Sequence, residues 1–115
     1  MSENYTHHFE KGDVVRHFKH ENLSDEAKAD NVYMYQIISP DATHTETGEH
    51  FVVYKALYDG KKYGLNVDNS EIFIRPREQF MSEVDHEKYP DIKQHYRFET
   101  VMSTEFYKLI GKGVI

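Results

Sequence analysis

Apolar and polar positions change period several times along the chain, and each change marks an element. Between Asp13 and Lys19 they alternate: Val14, Arg16 and Phe18 fall on one side, Val15 and His17 on the other. Period-two alternation predicts a β-strand, with Lys11-Gly12 turning into it. From Asn22 to Asp30 the alternation stops. Ser24 precedes Asp25, Glu26, Ala27 and Lys28, a capping residue followed by first-turn acids, which predicts a turn or two of exposed helix. Val32 to Ile38 is dense in β-formers and predicts a central strand stopping at Ser39-Pro40. The polar stretch 41–49 then leads into Phe51–Tyr58, the most strand-like run, so the two strands should form a hairpin. Asp59-Gly60 is a turn signal, and 61–70 is a polar excursion. Glu71–Arg75 predicts a fourth strand ended by Pro76. Arg77–Met81 has room for one helical turn, 85–94 reads as loop, and Tyr96–Val101 predicts the fifth strand. Ser103 would open a short amphipathic helix through Ile110, closed by Gly111.

Five short strands with little helix predict a mainly β fold, a small barrel or roll with short helical insertions and a C-terminal helix. The layout is a loosely held segment at 1–10 (Tyr5 and Phe9 able to dock), a body at 11–102, and a helix and tail at 103–115.

Composition narrows the chemistry. The chain has 115 residues, 14 Lys+Arg against 20 Asp+Glu, a formal net charge of -6, no Cys and no Trp. That length predicts one domain. Without cysteine there is no disulfide framework, thiolate zinc site or Cys nucleophile. The negative balance argues against nucleic acid or an anionic membrane as a bulk partner. No apolar run approaches the ~20 residues of a membrane span and no Lys/Arg-led apolar stretch opens the chain, so the expected setting is the cytoplasm. No P-loop, GxGxxG or GxSxG motif occurs.

Five blocks in order carry a family resemblance: Gly12–Lys19 (GDVVRHFK), His44–Glu49 (HTETGE), Val52–Tyr58 (VVYKALY), Arg75-Pro76 with Phe80, and Tyr96-Arg97-Phe98. Together the sequence resembles the DUF1653 family of small bacterial and phage domains of unknown function, over about residues 11 to 100. The resemblance implies a five-stranded SH3-like roll and no established activity. His20–Asn31 and Gly60–Ser70 are longer than the shortest members need.

The blocks contain His17, His44, Glu46, Arg75 and Arg97, and three readings compete for them. His44 and Glu46, two apart, would share a side on a strand and could bind a metal with His17, or else merely shape a polar hairpin turn. No metal site or cofactor is expected. Arg16, Arg75 and Arg97 are three of only four arginines and sit in strand motifs, where guanidinium forks suit carboxylate or phosphate. The plainer expectation pairs them with neighbouring acids. Tyr33 with Tyr35, and Tyr54 with Tyr58, could form an aromatic peptide-gripping face or fill the core. The leading reading is a binding module whose face comprises Arg16, His17, His44, Glu46, Tyr54, Arg75 and Arg97, holding a small anionic ligand or a peptide segment. The alternatives are a small metal- or His-dependent hydrolase using His17, His44 and Glu46, and a structural or regulatory accessory domain acting through protein contact.

Overall fold

A computed structural model describes residues 8–102. The expected helix at 103–110 and the docking of Tyr5 lie outside the described residues. Five antiparallel strands, β1 (Val14–His17), β2 (Met34–Thr43), β3 (His50–Ala56), β4 (Ile72–Pro76) and β5 (Phe98–Met102), form one sheet in the order β4-β3-β2-β1-β5. The helices are short: α1 (Asp25–Ala29), α2 (Arg77–Phe80), and 3-10 turns at Phe18–Asn22 and Lys61–Tyr63.

Each element has a local cause. The Ser24 hydroxyl accepts the Ala27 N–H at 3.2 Å and starts α1. Ala27, the one buried residue of α1, pins it to the core. β1 is shorter than the alternation predicts, because the His17 imidazole caps the 3-10 turn that follows. β2 runs beyond Pro40, where its sequence predicts a stop. Register breaks in its pairing with β3 fall between Ile37 and Ser39 and between Ser39 and Ala42, and irregular pairing of this kind accommodates a proline. Only Met34–Gln36 of β2 pair with β1. Its far half pairs with β3 alone, as an arm ending in the 44–49 turn.

The sheet is not closed into a barrel by hydrogen bonds, since no ladder joins β4 to β5. It is nevertheless strongly curled. A flat five-stranded sheet would hold its edges roughly 19 Å apart. Here the Arg75 guanidinium carbon, on β4, lies 5.8 Å from the centre of the Phe98 ring on β5. Inside the curl Val15, Tyr35, Ile37, Val52, Tyr54, Ala56, Phe80 and Phe98 form the core. Phe80 and Phe98 stack at 3.9 Å and Phe9 meets Phe80 edge-on at 5.3 Å, so Phe9 docks on the core as its sequence allows. A second small cluster, Phe18, Val84 and Ile92 with Tyr89 against it, fixes the 85–94 segment. That segment is no free loop. The Glu21 carboxylate accepts the Lys93 and Gln94 N–H groups, and buried Gln94 exchanges hydrogen bonds with Arg16.

Candidate functional site

At the end of the curl where β1 gives way to its 3-10 turn, two cavities adjoin. One, of about 280 Å³, is lined by His17, Phe18, Lys19, Arg75, Asp85, Lys88, Tyr89 and Arg97. The other, of about 160 Å³, is lined by His17, Lys19, Tyr33, Tyr35, Tyr54, Arg75 and Phe98. They share His17, Lys19 and Arg75, so they form one cleft with a cationic basin and an aromatic slot.

His17 sits at its centre. The ring is 8 % exposed, enclosed by Phe18, Tyr33 and Phe98 with centroids 4.4, 5.8 and 5.0 Å away. Its Nδ1 accepts the Lys19 N–H at 3.1 Å. Burial, and then the charges of Arg75, Lys19 and Arg97, lower its pKa to about 3. The ring is therefore neutral near pH 7, and with Nδ1 accepting, its proton is on Nε2. Among the described residues no acceptor meets that N–H.

The arginines arrive from opposite edges of the sheet. Arg75 Nε makes a long bond, 3.4 Å, to the Tyr54 hydroxyl, and the guanidinium leans on Phe98. Arg97, whose carbonyl accepts the Phe18 N–H, directs Nε to Ser82 Oγ at 3.1 Å. Each arginine is thus positioned through Nε. No carboxylate among the described residues pairs with Arg75, Arg97, Lys19 or Lys88. The one acid in the lining, Asp85, uses Oδ1 to accept the N–H groups of Glu87 and Lys88.

The structure brings together four of the seven residues singled out in the sequence: His17, Tyr54, Arg75 and Arg97. It does not bring Arg16, His44 or Glu46 to them. Arg16 points to the opposite face of β1 and bonds through Nε to Gln94 Oε1 at 3.1 Å. His44 and Glu46 are exposed at the tip of the β2–β3 arm. The ten residues of β2 separate that tip from the cleft by roughly 30 Å. There His44 Nδ1 accepts the Glu46 and Thr47 N–H groups at 3.2 and 3.3 Å, and Gly48, at φ +75, closes the turn. The HTETGE block builds a turn. The catalytic or metal set of His17, His44 and Glu46 is not assembled, and the described residues contain no group of three or more potential ligands placed around one point.

Sequence reasoning missed Phe18, Lys19, Asp85, Lys88 and Tyr89 in the lining. The signal available was the proximity of Phe18 and Lys19 to His17; nothing in 85–94 announces that it folds back over β1. Tyr35, Tyr54 and Tyr58 are core residues, with the Tyr35 and Tyr58 hydroxyls bonded at 2.9 Å. That buried bond, with burial itself the larger cause, pushes the Tyr35 hydroxyl far above its ordinary pKa. A larger hollow of about 640 Å³, lined by Glu49, His50, Pro76, Arg77, Glu78 and Met81, is a broad surface depression. Its charges are of both signs and none of its residues is buried, so it lacks what distinguishes the smaller cleft.

No curated protein and no solved structure matches the chain. Residues 13–100 match the family described as protein of unknown function (DUF1653), and the chain belongs to that family.

Proposed function

We propose that this protein is a binding module for a small anionic ligand, held in the cleft by Arg75, Arg97, Lys19 and Lys88 with the His17 Nε2–H. One observation carries the reading: in a chain of net charge -6, four cations and a single acid, Asp85, line a cleft beside a buried donor, and no carboxylate among the described residues forms an ion pair with those cations. Two half-buried arginines and two exposed lysines around one cleft give a net positive potential that favours an anion. Guanidinium forks fixed through Nε keep their terminal nitrogens for carboxylate or phosphate oxygens. We take the curled sheet to be an SH3-like roll; five short antiparallel strands and side-chain contacts between the edge strands support this. The proposed setting is the cytoplasm, where small phosphates and carboxylates are abundant; among the described residues no helix is long and apolar enough to cross a membrane.

Thermal unfolding with inorganic phosphate or citrate tests the reading. A probe at about one hundred times its Kd adds about 2.7 kcal/mol, a Tm rise on the order of 10 °C for a domain this size. Arg75→Ala with Arg97→Ala should abolish the rise. An unchanged rise in that double variant means the anion sits elsewhere.

A second reading, contact with another protein, is favoured by Ile72 and Ile74, 61 % and 63 % exposed on the outer face of edge strand β4. Light scattering on wild type and Ile74→Lys addresses self-association through that edge.

A further inference from the structure

We infer that the ligand of this cleft is a nucleoside monophosphate, its heterocycle in the aromatic slot and its phosphate in the cationic basin. The inference rests on the anion-binding reading above and goes beyond it by assigning the slot. The slot and the basin share His17, Lys19 and Arg75, so one small molecule reaches both. The slot is lined by the aromatic residues Tyr33, Tyr35, Tyr54 and Phe98, a lining whose chemistry suits a flat ring. At about 160 Å³ it has room for a ring and none for an extended peptide.

Among the polar residues that line the slot, His17 is the buried one whose donor has no partner among the described residues, and it bears on which ring fits. The Nε2–H of neutral His17 is buried without an acceptor among the described residues. A phenyl ring would leave it unsatisfied, whereas the in-plane nitrogens and carbonyls of a nucleobase accept from it. Tyr33 points the same way. It holds a left-handed backbone, φ +66, at a bulky residue for which that conformation is costly. The turn that imposes it, with the Met34 N–H bonded to Asn31 O at 2.9 Å, sets the half-buried Tyr33 ring against His17. Asn31 and Ser70 share this backbone region away from the cleft, while at Tyr33 the cost falls on a residue that lines it, which fits a positioning role. The chain's negative charge excludes a long polyanion and leaves a single phosphate acceptable.

The test is isothermal titration of the full chain with AMP, GMP, CMP and UMP, against ribose 5-phosphate, which has no ring, and phosphotyrosine, whose ring has no acceptor. The best nucleotide should bind about tenfold or more tighter than ribose 5-phosphate. Tyr33→Asn, a residue that tolerates left-handed backbone, should erase that margin while ribose 5-phosphate binds as before, which also certifies the fold. His17→Asn, able to accept the Lys19 N–H but lacking the second donor, should also reduce the margin. Equal binding of ribose 5-phosphate and every nucleotide overturns the inference and leaves the anion reading standing. Tighter binding of phosphotyrosine overturns it in favour of a phosphorylated side chain. Failure of every phosphate compound removes both readings.

Discussion

Two histidines, His17 and His44, occupy equally prominent sequence blocks and each accepts the backbone N–H two residues on through Nδ1, yet they differ in burial and in what surrounds the ring. His44 is exposed, and its Nδ1 serves two backbone N–H groups of its own turn. His17 is buried, its Nδ1 serves one backbone N–H, its other nitrogen has no partner among the described residues, and the residue lines a cleft walled by cations and rings. At the arm tip His44 Nδ1 and Thr47 Oγ1 accept backbone N–H groups of their own turn, and the other polar side chains are exposed. At the cleft, cations and a donor remain unanswered within the described residues. An unanswered group in an enclosed place is what separates a site from a scaffold, and residue type alone does not reveal it.

The largest expected effect tests whether the cleft is part of the core. Phe98→Ala should cost about 3–5 kcal/mol in denaturant unfolding, because Phe98 is 1 % exposed and supports Phe80, Tyr54 and Arg75 together. A loss near 1 kcal/mol would mean the cleft floor is separable from the core.

The next concerns pH. The folded-state pKa of His17, about 3, lies below its ordinary value of 6.5, so the unfolded chain binds the proton more readily. The stability linked to this residue is complete above pH 6.5 and drains as pH falls from 6.5 towards 3. The slope should be about 1 kcal/mol per pH unit. His17→Asn should flatten that part of the profile; an unaltered slope would assign the acid sensitivity to other groups.

Arg75→Met is smaller and more pointed. The apolar stem on Phe98 is kept, so stability should change by less than about 1 kcal/mol. The His17 pKa, followed by NMR, should move upward, since Arg75 is the first cause of its depression after burial. No movement would separate the two residues electrostatically. At the arm, His44→Ala should cost about 0.5–1.5 kcal/mol for the two lost acceptor contacts and leave anion binding untouched. Impaired binding in His44→Ala would dissolve the contrast between the two histidines.

Much of the fold is readable from local chemistry. The Ser24 cap, the β2–β3 hairpin, the β4 strand and the turn of α2 follow from residues within a few positions of one another. Readability ends where distant segments cooperate. The continuation of β2 through Pro40 depends on the irregular pairing β3 allows. The 85–94 segment looks like solvent-facing loop until Glu21 and Arg16 are seen to hold it from more than seventy residues away. The site shows the same divide. Arg75 and Arg97 stand out because arginine is scarce, while Lys88 and Tyr89 join them only through that long-range fastening. His44 and Glu46 are spaced like ligands, but His44 Nδ1 is taken up by the turn, to which Glu46 contributes its backbone N–H.

The missing ladder between β4 and β5 has a mechanical meaning. Arg75 and Arg97 stand on the two sides of this seam, across which ring contacts and a guanidinium are the described attachments near the cleft. An anion gripped by both would act as the stave that closes the hoop. Occupancy should then be felt along the whole length of β4, as slower amide exchange in a strand whose outer edge touches no ligand.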